Sequence, residues 1–222
     1  MLSYVTLDIK GYEGAPVPHT FIRQATTEHL AILFPGLGYR ATMPVLYYPE
    51  QLLIENGADV LRVEYAYDQH AEFKTRSDDE RQRWFMSDAV AAAEAGLAQR
   101  HYTQITLIGK SIGTQALGQL LETRPAFHSA RYVWLTPLLR NARLCEQIRQ
   151  GKPRSLFVIG TADSHYNPAT LAELERATNG QSVVIEDANH GLEIAGDLHK
   201  SLHVIKTLLH ALAHFLEVDA IR

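Results

Sequence analysis

One cysteine, Cys145, stands in the whole 222-residue chain, so no internal disulfide can form, and a lone thiol is expected of a protein in a reducing compartment. Blocks of lysine or arginine are also missing. With a formal net charge of -4 and a pI ≈ 6.2, the chain lacks the basic footprint that nucleic acid requires, which leaves a small molecule as the expected partner. No segment approaches the roughly 18 apolar residues of a membrane span. The opening run Met1-Leu2-Ser3-Tyr4-Val5-Thr6-Leu7-Asp8 has no basic patch followed by an apolar stretch, so it does not read as a signal peptide. Repeats and low-complexity segments are absent as well, and the expectation is a soluble cytoplasmic protein. A homo-oligomer stays open on these grounds.

A chain of this length fits one domain, residues 1–222, that buries roughly 70% of its unfolded surface. Ser3 to Ile9 alternates like a half-buried strand, and after a break at Gly11, Gly14, Pro16 and Pro18 the run His19 to Arg23 pairs with it as an antiparallel edge hairpin. His29 to Phe34 is a short apolar run of the kind buried on both faces. Helical spacing from Pro44 to Asn56, with Gly57 as a stop, leads to a strand over Asp59 to Tyr65. The polar stretch Asp68 to Arg83 reads as a surface loop or a weakly packed lead-in to a helix over Trp84 to Arg100. Further strands fall at Ile105 to Ile108, Arg131 to Leu135, Ser155 to Gly160 and Gln181 to Glu186. Helices fall at Ile112 to Glu122, Ala142 to Gln150, Pro168 to Thr178 and Leu198 to Leu216. Such alternation predicts a three-layer α/β/α fold, a mostly parallel sheet covered on both faces.

Gly109-Lys110-Ser111-Ile112-Gly113 lies between a β-branched strand and a helical pattern. Lifting a serine hydroxyl above the end of a sheet needs a sharp turn, and glycines two positions either side remove side chains that would collide there. Ser111 is therefore the candidate nucleophile. A phosphate-binding loop would need glycine five positions before Gly109, where Gln104 stands. A vestigial elbow remains the alternative, and only partner residues argue against it.

Ligands of such sheets bind at the carboxyl ends of the strands. Ser111, Asp163 and His190 each follow a strand, in the chain order nucleophile, acid, histidine. These placements, with Gly160-Thr161-Ala162-Asp163 and Asn189-His190-Gly191, resemble the α/β-hydrolase fold over nearly the whole chain. The resemblance implies that His190 takes the proton from Ser111 and that Asp163 holds the imidazole tautomer. Pro35-Gly36-Leu37-Gly38 stands where the family carries a His-Gly-x-Gly turn, which makes the amides of Leu37 and Ile112 the implied oxyanion donors. Proline in place of histidine leaves those amides intact. Fewer than about twenty residues separate Leu135 from Ser155, room for one short helix and no cap domain. A lid-less, dienelactone-hydrolase-like serine hydrolase follows, acting on an ester, thioester or similar acyl substrate without cofactor or metal. Serine instead of cysteine at the nucleophile separates it from the dienelactone hydrolases themselves. A binding module on the same fold, or acyl transfer or lyase chemistry at the same residues, are the alternatives.

Asp187 is a second candidate acid, set close behind the last strand. Tyr39, Lys110 and His165 are candidates to line the substrate pocket, with an exposed loop residue as the equal alternative for His165; Lys110 and Arg40 either favour an anionic substrate or point away and pair with a surface carboxylate. His199, His203, His210 and His214 form a stripe on the closing helix, opposite Leu202, Ile205, Leu209, Leu212 and Leu216. That stripe reads as a wet helix face in preference to a metal site.

Overall fold

The computed structural model describes residues 2–218. Its eight strands are β1 (Ser3–Val5), β2 (His19–Arg23), β3 (His29–Phe34), β4 (Asp59–Val63), β5 (Gln104–Lys110), β6 (Arg131–Leu135), β7 (Arg154–Gly160) and β8 (Gln181–Ile185). They form one sheet in the order β1-β2-β4-β3-β5-β6-β7-β8. β1 and β2 are antiparallel to each other, β2 is antiparallel to β4, and all remaining pairs are parallel. The expected hairpin is present, but its first strand stops at Val5 instead of Ile9. Ile9 is buried in the connection that follows.

The helices are α1 (Pro44–Glu55), α2 (Ala71–Thr75), α3 (Asp78–Leu97), α4 (Gly113–Thr123), α5 (Ala142–Gly151), α6 (Pro168–Thr178) and α7 (Leu198–Leu216). Alternate residues of each strand point to opposite faces, and the two cores divide accordingly. Leu30, Ile32 and Phe34 of β3 pack with Phe85 and Ala89 of α3, Leu117 of α4 and Leu144 of α5. Ala31 and Leu33 pack with Val45 and Leu53 of α1 and Leu208 and Leu212 of α7. The 136–153 connection between β6 and β7 holds only α5, so no cap covers the carboxyl ends of the strands.

The stretch expected as a polar loop differs most. α3 begins at Asp78, six residues before Trp84, because Ser77 accepts from the Glu80 amide while the Glu80 carboxylate accepts from the Ser77 amide. This reciprocal cap satisfies two of the orphan amides of the first turn. Upstream of it Tyr67 and Phe73 are buried, their rings stacked at 4.5 Å. On α7 the four histidines are exposed as expected, but Leu202 is also 55% exposed, and Val204, Ile205, Leu208 and Leu212 make the inward face.

Ser111 lies between β5 and α4 with φ 54°, the left-handed region that a non-glycine residue seldom occupies. The elbow closes because its glycines let backbone meet backbone. A Cβ at Gly113 would lie 2.2 Å from the Phe34 carbonyl oxygen, and one at Gly109 2.6 Å from the Gly113 carbonyl oxygen. Gly113→Ala should therefore lower the urea midpoint by an amount equivalent to about 1–3 kcal/mol of overpacking. An unchanged midpoint would contradict this packing of α4 on β3.

Candidate functional site

The turn after β7 carries Asp163, and the loop after β8 carries His190. The two come together because Gly160, at the end of β7, has no side chain where the Ala188 carbonyl oxygen crosses. A Cβ there would lie 1.9 Å from that oxygen. The Ala162 amide donates to the same carbonyl at 3.1 Å, tying the acid turn to the histidine loop.

His190 Nδ1 is 2.7 Å from Asp163 Oδ2, and His190 Nε2 is 2.8 Å from Ser111 Oγ. The structure thus brings Ser111, His190 and Asp163 into one hydrogen-bonded line. Asp163 is 4% exposed, while the His190 side chain is 38% exposed and open to the cleft. Burial alone would raise the Asp163 carboxyl. The hydrogen bonds from His190 and from the His165 amide (2.8 Å to Oδ1) outweigh it and hold the carboxyl below its ordinary range. The group is therefore an anion at neutral pH. Asp187, the alternative acid, is exposed in the turn after β8, and its amide donates to Thr161 Oγ1.

Gly36 places the turn after β3 against Ser111: a Cβ there would stand 3.4 Å from Ser111 Cβ. Among the described residues the amides of Leu37 and Ile112 make no backbone hydrogen bond, so both remain available to a ligand oxygen. Tyr65, two residues beyond the end of β4, donates from its hydroxyl to the Pro35 carbonyl oxygen at 3.3 Å and braces this turn. Its position at the carboxyl end of a strand was the available signal for it.

Two cavities flank the turn. One of about 290 Å³ is lined by the apolar Leu37, Phe73, Phe85 and Ile112 and by the polar Asp78, Arg81, Gln82 and Gln115. The other, about 230 Å³, is lined by Pro35, Arg40, Thr42, Glu64, Tyr65 and Gln69. Arg40 is paired with Asp68 at 2.9 Å.

His165 lies beside the line of three, its ring centroid 5.5 Å from that of His190. Tyr39 is half-buried, and its hydroxyl accepts from the Val45 amide at 3.0 Å. Burial pushes its phenol up to about 12.

Lys110 corrects the expectation placed on it. The residue is 1% exposed, and its Nζ points away from the cleft, donating to the His190 carbonyl oxygen at 2.9 Å and to Thr136 Oγ1 at 3.3 Å. A substrate cannot reach a cation so placed. As the residue before Ser111 on the pleat, it faces the opposite way from the hydroxyl.

Among the described residues, no helix is long and apolar enough to cross a membrane, and no three His, Cys, Asp or Glu side chains group as metal ligands. No curated protein is significantly similar to this chain. Solved structures share its fold at low identity. An esterase from Pyrococcus furiosus superposes with TM-score 0.71 at 14% identity, covering 97% of this chain and 91% of its own. A dienelactone hydrolase from Anabaena variabilis superposes with TM-score 0.68 at 17% identity over 98% of both chains. A lid-less serine hydrolase from Xanthomonas campestris gives 0.64 at 18% identity, covering 100% of this chain and 97% of the other. A sequence profile described as an alpha/beta hydrolase domain matches residues 27–217. With that match over most of its length, the chain belongs to the alpha/beta hydrolase domain family.

Proposed function

We propose that the protein is a serine hydrolase that cleaves an ester, thioester or related small acyl substrate through an acyl-Ser111 intermediate. The observation that carries this reading is the line Ser111 Oγ, His190 Nε2, His190 Nδ1, Asp163 Oδ2, with hydrogen bonds of 2.8 and 2.7 Å. A serine hydroxyl is a weak nucleophile at neutral pH and needs an adjacent, oriented base. His190 is that base, and the buried Asp163 anion selects the tautomer with the proton on Nδ1, leaving Nε2 free to accept.

As Ser111 Oγ attacks the carbonyl carbon, its proton passes to His190 Nε2, and the carbonyl oxygen becomes an oxyanion. The Leu37 and Ile112 amides receive that charge. Such preorganised donors contribute about 3–4 kcal/mol each in comparable sites. The imidazolium then protonates the leaving group, and the acyl-serine forms. Water enters the uncapped site, gives a proton to His190, and attacks the acyl carbon. Collapse of this second tetrahedral species returns the proton to Ser111 and releases the acid.

The cavity beside Leu37 and Ile112 supports a small acyl substrate, since the apolar part of its wall, Leu37, Phe73, Phe85 and Ile112, adjoins the oxyanion donors. Lys110 is buried, Arg40 is paired with Asp68, and Arg81, which lines that cavity, is paired with Asp78, so each of these cations already has a partner or is out of reach of a substrate. Two structural neighbours are named as an esterase and a dienelactone hydrolase, which agrees with hydrolytic chemistry.

A fluorophosphonate should label Ser111 in the native protein, and p-nitrophenyl acetate should be turned over. Ser111→Ala should lose both while keeping its circular dichroism and melting temperature. Wild-type turnover in that variant would assign the nucleophile elsewhere. Asp163→Asn keeps the shape of the acid but removes its charge and permits the wrong imidazole tautomer, so kcat should fall by roughly four orders of magnitude. A loss below tenfold in steady-state kinetics would remove Asp163 from the mechanism.

A further inference from the structure

Lys110 is buried at the centre of the site, and the mechanism above gives it no task. A lysine removed from water costs several kcal/mol unless its ammonium is matched. Here it is matched on three sides. Two N–H groups donate to the His190 carbonyl oxygen and to Thr136 Oγ1, and the ammonium sits 4.4 Å from the centroid of the Tyr39 ring. A methionine would fill a similar volume without the desolvation cost, so the partners of the charge are the informative feature.

Those partners belong to the elements that must be held in register. Lys110 is the residue immediately before Ser111. His190, whose carbonyl it binds, carries the imidazole that contacts Ser111 Oγ. Tyr39 lies two residues beyond Leu37, and its hydroxyl is fixed by the amide of Val45 in α1. Thr136 directly follows β6. The loop around His190 is closed by the Ala188–Ile194 bridge, by backbone bonds from the Asn189 amide to the Glu193 carbonyl oxygen and from the Leu192 amide to the Asn189 carbonyl oxygen, and by Asn189 Oδ1 accepting from the Gly191 and Glu193 amides. None of these bonds uses the His190 carbonyl oxygen, which among the described residues accepts from Lys110 and from no backbone amide.

We propose that Lys110 is a positioning residue: its ammonium, bonded to the His190 backbone carbonyl, joins the strand that carries the nucleophile to the loop that carries its base. This role rests on the hydrolase reading and adds to it a device built from the variable position inside the elbow. The brace acts through His190 and touches no substrate. A displacement of about 1 Å in such a pair is enough to cost on the order of 100-fold in rate, so a single bond of this kind has leverage on kcat with little on KM.

The charge state supplies a second readout. Burial lowers the Lys110 ammonium to about 8, against the opposing pull of Asp163 and Glu193. The charged groups and titratable rings around the brace are Asp163 and His165 from the turn after β7, His190 and Glu193 from the histidine loop, and Tyr39 from the turn after β3. Below about 8 the lysine is a cation, and its bond to the carbonyl is charge-assisted. Above it the neutral amine keeps a weaker bond and loses its attraction to the Tyr39 ring. The brace is thus strongest at neutral pH and weakens as pH rises.

The test compares wild type, Lys110→Met and Lys110→Gln in hydrolysis of p-nitrophenyl acetate and in the rate of fluorophosphonate labelling from pH 6 to 10. In both variants kcat and labelling should fall between about 10- and 100-fold at pH 7, with KM within about twofold. The decline of the wild-type rate as pH passes about 8 should be absent from both. Lys110→Gln removes the ammonium and its attraction to the Tyr39 ring while leaving a polar group in the buried site, so it carries the same readouts if Lys110→Met does not fold. A folded variant with wild-type kcat, or one that keeps the decline above neutral pH, overturns the proposal. An unlabelled wild type would instead sink the hydrolase reading, whereas equal labelling of wild type and variants removes only the role of Lys110.

Discussion

Everything at this site depends on holding one serine at φ 54° between β5 and α4. A non-glycine residue in that region carries of order 1–3 kcal/mol of backbone strain and persists only where its surroundings over-determine it. The surroundings here are specific. Ser111 donates its amide to the Leu135 carbonyl oxygen of β6, and its own carbonyl oxygen accepts from the Thr114 amide and hydroxyl. The Gly113 backbone is wedged against the Phe34 carbonyl. The same contact that forces the turn also sets the first amides of α4 beside the turn after β3. Strain at Ser111 and the placement of the Leu37 and Ile112 amides therefore have a common origin.

Two opposite charges are buried within this frame, and they act on different parts of His190. Asp163 meets the imidazole at Nδ1 and orients the ring. Lys110 meets the backbone and locates the loop. Each charge has at least two hydrogen-bonding partners, the condition under which burial of an ion is tolerated. The two lie close enough that Asp163 pulls the Lys110 ammonium upward against the effect of burial. A site with the anion alone would have the tautomer without the height.

The strands and the order of Ser111, Asp163 and His190 were legible because each depends on local chemistry. Short apolar runs mark the strands, and Ser111, Asp163 and His190 each lie in the turn or loop that follows one. β3, β6, α6 and α7 have the ends that their spacing predicts. What was not legible depends on contacts between distant elements. Ser77 and Glu80 form a capping box that spacing could have revealed, yet the charged run around them masked it. Lys110 appeared as a cation beside a nucleophile, whereas the pleat turns it inward onto His190, 80 residues away in sequence. No single-residue pattern encodes such a pairing. The exposure of Leu202 has the same source, since the face of α7 that is buried is selected by α1 and the sheet and not by hydrophobicity alone.

With no cap between β6 and β7, the wall of the cleft must come from elsewhere, and the stretch between β4 and α3 supplies it. Tyr65 and Tyr67 stack at 4.7 Å, Tyr67 stacks on Phe73 at 4.5 Å, and Tyr65 meets Phe85 edge to face at 5.3 Å. The Tyr67 hydroxyl donates at 2.5 Å to Asp88 of α3, a carboxylate that also accepts the Tyr12 amide at 2.8 Å. Burial raises the Asp88 carboxyl and the Tyr67 phenol alike, so the pair shares its hydrogen bond in a medium where an unpaired partner would be expensive. At the other end of the cluster Tyr65 reaches the Pro35 carbonyl. A continuous path of packed rings thus runs from an N-terminal turn, through a buried carboxylate, to the backbone that carries the Leu37 amide. In a fold without a lid, the aromatic wall gives the turn after β3 the rigidity that a covering domain would otherwise provide, while leaving the face above Ser111 open to water.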